Sequence, residues 1–182
     1  MAIVWATIEN ALRAWVKTGS GYADSKIIWV DQNGPRPAND FITLRIGDLV
    51  SLGAVDELRV TTNLANPNGS EIVLEVNGLR EFTLSIQAFN TATVSTSTSR
   101  EVLSKVQAAL KLPSVRALLN AAGLGPFDMG SVKNISALLQ TKFEARAILE
   151  TRFYVNETVS ENTGYINTVT LVDYTGNETI DI

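Results

Sequence analysis

At 182 residues, 45% hydrophobic and 19% charged, the chain has the composition of an ordered globular protein and fits one ordinary domain. It has neither cysteine nor histidine, which removes disulfides, thiolate nucleophiles, His-ligated metals and every Ser-His-Asp or Cys-His arrangement. Net charge is −4 and unevenly spread: residues 100–120 carry Arg100, Lys105, Lys111 and Arg116 against Glu101 alone, whereas from Phe153 onward there are Glu157, Glu161, Asp173, Glu178 and Asp181 with no Lys or Arg. Such a split suits head-to-tail docking of copies, or one face turned to DNA; the plainer reading is two solvated faces.

The first fifteen residues, MAIVWATIENALRAW, lack a basic n-region and are interrupted by Glu9, Asn10 and Arg13, so they do not read as a signal peptide. No apolar run approaches the ~18–20 residues of a membrane span. Residues 3–18 instead read as an amphipathic helix, with Trp5, Ile8, Leu12 and Trp15 on one stripe and Glu9 one turn from Arg13. Gly19 and Gly21 are expected to stop it.

Residues 26–31 form a near-continuous apolar run, expected to be a centrally buried strand. Asp31–Asp40 then reads as a proline-pinned turn in which Pro35 and Pro37 hold Arg36 on a stiff backbone. Residues 41–48 alternate, with Ile42, Leu44 and Ile46 on one face and Thr43 and Arg45 on the other. Residues 57–62 suggest a short strand with Leu58 and Val60 inward, and Asn66-Pro67-Asn68-Gly69 a turn. In EIVLEV-NG-LREFTLSIQAF, Asn77-Gly78 suggests a hairpin; pairing Ile72 with Leu84 and Leu74 with Phe82 would need a three-residue loop or a bulge.

A polar connector, 91–99, should end in a hydroxyl cap for a helix over 100–112, with Val102, Leu103, Val106, Ala109 and Leu110 on one face. Pro113 should end that helix and Ser114 cap a shorter one running to Gly123. Residues 124–139 read as a loop followed by irregular or strand structure. Over 143–155 the residues favour helix but the period is two, and period decides for a strand. Asn162-Thr163-Gly164 turns the chain so that 165–174 pairs back, leaving the tail 175–182 mobile or held by a partner.

Candidate chemistry is sparse. There is no Walker loop, and Asp48, Asp56 and Glu57 lack the regular spacing of a calcium loop, so no catalytic, cofactor or metal site is expected. The loop after Val30 is open to two readings. Arg36 and the amides of Gln32 and Asn33 beside Asp31 could pair with another chain, or Asp31 and Asn33 could simply cap their own backbone in a stiff turn.

The string W-V-D-Q-N-x-P-R-P-x-x-x-F-I-T-L-R-I resembles the signature of tailed-phage neck and tail terminator proteins; it maps onto Trp29, Asp31, Gln32, Asn33, Pro35, Arg36, Pro37, Phe41, Leu44 and Arg45. SIQAF (85–89), the amphipathic helix that follows, and E-A-R-A-x-L-E-x-R-F (144–153) continue the likeness. The resemblance implies an α/β (α+β) protomer spanning 1–182 as one domain, a mostly antiparallel sheet with helices on one face. It implies a structural virion protein with no enzymatic activity or cofactor, assembled in the host cytoplasm into a hexameric ring at the neck. That ring caps the tail tube, and a sheath where there is one, meets the connector proteins, and passes DNA through its lumen without reading sequence. Asp31, Gln32, Asn33, Arg36, Arg45, Arg146 and Arg152 are then the expected subunit or partner contacts, and Arg36→Ala is expected to weaken assembly without unfolding the chain. A head-completion protein, a monomeric binding module and a carboxylate-dependent hydrolase are the rival readings.

Overall fold

The computed structural model describes residues 3–32, 36–37, 40–53, 56–63, 71–90, 97–139, 142–164, 168–172 and 177–181. The chain forms two compact units, one of Ile3–Leu52 and Leu79–Asn156, the other chiefly of Gly53–Gly78 and Glu157–Ile182.

In the larger unit, helix α1 (Trp5–Ser20) buries Ile8, Ala11, Leu12, Trp15 and Val16, the stripe its spacing predicts. Of the two candidate stop glycines, Gly21 ends it: φ is +71°, and its N–H reaches the Lys17 carbonyl at 2.9 Å. Gly19 lies inside the helix for another reason. A Cβ there would meet the Val106 Cα at 2.5 Å, so α1 and α2 (Ser97–Ala109) approach too closely for a side chain. Gly19→Ala should gain about 1 kcal/mol of helix propensity but lose about 1–3 kcal/mol by forcing the helices apart. A net loss of about 1 kcal/mol in urea unfolding is expected; a stabilised variant would show that the contact is slack. Arg13 turns to the carbonyls of Asp24 and Ile27. After a 3₁₀ turn at Asp24–Lys26, Asp24 accepts from Lys17 at 2.6 Å, a hydrogen bond that holds its carboxyl below the usual range.

The sheet runs in the order β1 (Ile27–Trp29), β2 (Phe41–Ile46), β5 (Glu71–Asn90), β9 (Lys142–Gly164), β6 (Leu124–Met129). Short β3 (Val50–Ser51) and β4 (Glu57–Asn63) pair with β5; β7 (Lys133–Asn134) and β8 (Ala137–Leu139) pair with β9. Every pairing with a described register is antiparallel except β1–β2. Ile42 faces Ala88, Leu44 faces Ile86 and Ile46 faces Leu84. With Phe82 and with Ala147, Leu149, Phe153 and Val155 of β9, they form one apolar face. Residues of α1, α2 and α3 (Pro113–Ala121) complete the core against it. At its centre Phe153 packs edge-on to Trp15 (5.8 Å) and stacks on Phe82 (5.7 Å). The Trp15 indole N–H donates to the Val106 carbonyl at 3.0 Å, so the largest buried side chain also satisfies its polar atom. The α+β class, with helices gathered on one sheet face, is as expected.

Several local expectations fail, each for a physical reason. The apolar run after Lys26 is not a central strand: β1 is three residues long and pairs only with β2 among the described strands. Because that pair is parallel, β1 and β2 are not joined as a hairpin. Asn77-Gly78 makes no hairpin. It lies inside the 20-residue β5, where the partner changes from β4 to β3. The apolar residues Ile72, Leu74, Val76, Phe82, Leu84 and Ile86 are all even-numbered, and an unbroken strand satisfies that pattern where a two-residue turn would invert it. Pro113 opens α3, with Leu112 as its N-cap, instead of closing the preceding helix. The Ser99 hydroxyl donates to the Ala145 carbonyl at 3.0 Å, tying α2 to β9. Residues 143–155 are strand, as the period of two requires, within the 23-residue β9.

In the smaller unit, β4 pairs with 71–77 of β5. Thr158 of β9 donates to Asn77 at 2.7 Å and Thr163 to the Ile72 carbonyl at 3.1 Å. Leu58 and Val60, expected inward, are each 60% exposed, and Val76 and Val159 are exposed as well, because this unit contains no described helix to cover them. β10 (Thr168–Val172) pairs antiparallel with β11 (Asn177–Asp181), which lies within the tail 175–182. The turn proposed at 66–69 lies outside the described residues.

Candidate functional site

Arg36, between β1 and β2, lies against the face opposite the helices. Side chains alternate along a strand, so that face carries Phe41, Thr43 and Arg45 of β2, the odd positions 81–89 of β5 and the even positions 144–154 of β9. Phe41 and Phe89 are register partners and stack at 4.5 Å with planes 4° apart. The Arg36 guanidinium lies 5.2 and 5.6 Å from their ring centres, and Arg146 lies 4.6 Å from Phe89, both within cation–π range. Arg36 pairs with Glu144, whose side chain is 10% exposed against 55% for the arginine. Arg146 donates to Gln87 at 3.1 Å.

Two buried atoms in this cluster have no partner among the described residues: Glu144 Oε2 and Arg146 Nε. One accepts and the other donates. Both lie beneath the surface of the cluster, the carboxylate also carrying the ion pair to Arg36 and the guanidinium also donating to Gln87. Further along, Arg152 pairs with Glu81 at 3.5 Å and Asp128 at 3.9 Å, and Arg45, exposed, stands opposite Ser85. Two of the four arginines, Arg36 and Arg152, thus sit beside carboxylates.

Four of the seven residues marked in the sequence, Arg36, Arg45, Arg146 and Arg152, thus fall on one face across three strands. Asp31 and Gln32 are exposed in the turn leaving β1, where the Gln32 N–H reaches the Trp29 carbonyl at 3.3 Å. Asn33 lies outside the described residues. The partner supplied to Arg36 here is Glu144 of its own chain. Sequence reasoning missed Glu144, Gln87, Phe41 and Phe89. The aromatic pair had a signal: Phe41 and Phe89 occupy the polar phase of strands whose other phase forms the core. Among the described residues no group of three or more His, Cys, Asp or Glu could hold a metal ion, and Asp48, Asp56 and Glu57 do not form one.

A family model described as phage neck terminator protein matches residues 6–180. The chain belongs to that family. None of the curated proteins matches it. Among solved structures, the chain is similar to the sheath/tube terminator of an extracellular contractile injection system, PVC, in its extended state. The TM-score is 0.54 at 11% identity, over 100% of this chain and 66% of that one. The chain spans just under two thirds of that relative's length, and the likeness shows the fold. A component of a native gene transfer agent virion covers 84% of this chain and 98% of its own at 11% identity, with a TM-score of 0.29. The signature thus includes an arginine, Arg36, that lies against the sheet face opposite the helices.

Proposed function

We propose that the chain is a structural virion protein that ends the tail at the neck: copies close into a hexameric ring on the last ring of the tube. The ring engages the tube, and the sheath where the tail contracts, and presents the surface that meets the connector proteins, with DNA passing through the lumen unread. The family match over nearly the whole chain carries this reading. Two structural features support it. The smaller unit exposes Leu58, Val60, Val76 and Val159, apolar surface that a lone soluble chain rarely leaves open in one region. The helix-free face carries half-exposed Arg36 and Arg152 beside Glu144, Glu81 and Asp128, charges of both signs that favour a partner of defined register over plain solvent. The single-domain reading of 1–182 is kept as part of this proposal, the two units acting as one protomer.

Tail tubes polymerised alone should grow to unregulated lengths, and adding the full chain should halt them, leaving rings of six with an open centre at one end in negative stain. Tubes that elongate unchecked, with ends undecorated at saturating protein, would remove the terminator reading.

A further inference from the structure

We propose that the apolar sheet face of the smaller unit docks onto the larger unit of a second copy of this chain, at a groove between the end of α2, helix α3 and strand β6. The two units differ sharply in charge. The smaller one, chiefly Gly53–Gly78 and Glu157–Ile182, holds nine acidic side chains against Arg59 alone, a net −8. The larger holds fourteen Lys and Arg against ten acids, a net +4. Like units of two copies therefore repel and unlike units attract, which favours a head-to-tail contact over a two-fold one.

The smaller unit presents a defined face. Across β4 and β5, Leu58 faces Val76 and Val60 faces Leu74. Thr158 of β9 donates to the Asn77 side chain at 2.7 Å, so those two share one side of the sheet, and Val159 and Val76 share the other. With the rest of the chain in place, Leu58 and Val60 are 60% exposed, Val159 56% and Val76 38%. Glu161, two residues past Val159 on the same side, is exposed as well. A contiguous apolar patch edged by acid marks an interaction site. The groove is its complement. It has a volume of about 420 Å³ and is lined by Lys111, Arg116, Phe127 and Met129, with no acid among its described lining residues. Phe127 and Met129 are each 40% exposed. Phe127 is held by stacking on Tyr154 at 3.9 Å, and Arg116 by a hydrogen bond from Nε to the Leu110 carbonyl at 3.2 Å. Side chains already fixed lose little entropy when a partner arrives. Leu58 and Val60 then meet Phe127 and Met129, while Glu161 faces the two cations. Because face and groove are different surfaces, the contact is heterologous and can propagate around a ring. The inference rests on the assembly of copies proposed above, and not on what that assembly caps.

The chain has no cysteine, so thiols can be placed singly in the full-length protein. A Met129→Cys chain and a ¹⁵N-labelled Leu58→Cys chain are mixed in equal amounts and treated with a short bismaleimide, and the linked dimers are weighed by mass spectrometry. Docking raises the effective concentration of the unlike pair, so the mixed dimer should exceed the statistical two-to-one-to-one ratio by about tenfold. Arg59→Cys in place of Leu58→Cys puts the thiol on the opposite side of β4 and makes the unit more acidic. A contact made through the apolar face then loses its excess, whereas an excess that persists reports charge attraction without that face and overturns the proposal. Lys111→Glu with Arg116→Glu in the Met129→Cys chain, both at exposed positions, should also abolish the excess. A statistical ratio from the first pair, or an excess indifferent to charge reversal, overturns the proposal. Cross-linking with tubes left uncapped would support this contact while removing the terminator reading; capped tubes without cross-links would do the reverse.

Discussion

Truncating Phe153 to alanine is expected to cost about 3–5 kcal/mol, the range for a fully buried aromatic in a close-packed core. Phe153 has no exposed surface and touches both other large rings of the core, Trp15 and Phe82. Its loss opens a cavity where α1, β5 and β9 meet. Neighbouring rings are poorly placed to collapse into that space, because Trp15 is held by its hydrogen bond to Val106. The check is urea unfolding followed by tryptophan fluorescence, with the midpoint falling and the slope unchanged. Loss below about 1 kcal/mol would mean the core repacks freely and that this cluster is not its centre.

The second large effect concerns Arg36. Arg36→Ala leaves the Glu144 carboxylate, one-tenth exposed, without its cation. Exposed pairs contribute about 0–1 kcal/mol and breaking a buried pair costs about 3–5 kcal/mol. With the arginine half exposed, the expected cost lies between, at about 2 kcal/mol. Arg36→Ala with Glu144→Gln should recover most of that, because no buried charge is then stranded. A double-mutant cycle with coupling under about 0.5 kcal/mol would show that the pair does not hold Arg36 on the sheet. This revises the sequence-based expectation of an arginine that could be removed with the fold untouched. Loss of assembly by Arg36→Ala must be read beside Glu144→Gln, which removes the internal ion pair but keeps the Arg36 guanidinium, before it is assigned to a subunit contact.

Much of the core was legible because it depends on local periodicity. Spacings of three and four in residues 5–16 and 102–110, and of two in 42–46, 82–88 and 145–155, gave the helices and the strand face that the core uses. Where period and propensity disagreed, over EARAILE, period decided correctly, since burial of one face outweighs intrinsic preference. The motif that carried the family likeness was also readable, because its residues are contiguous.

Pairing partners and direction were not readable, and the misreadings all come from there. An Asn-Gly dipeptide is a strong local hairpin signal, yet β5 runs through it because β4 and β3 supply partners on either side of it. Leu58 and Val60 alternate like core residues and are exposed, because inward requires something to pack against. Above all, β1 pairs parallel with β2 and not as a hairpin, and Arg36 meets Glu144, 108 residues away in sequence. The sequence by itself determined which residues are apolar in which period, hence the elements, the helix-bearing face and the family. Only the tertiary structure decided strand order, strand direction and the Arg36–Glu144–Phe89 cluster, because those depend on contacts between distant segments whose free energy no local window contains.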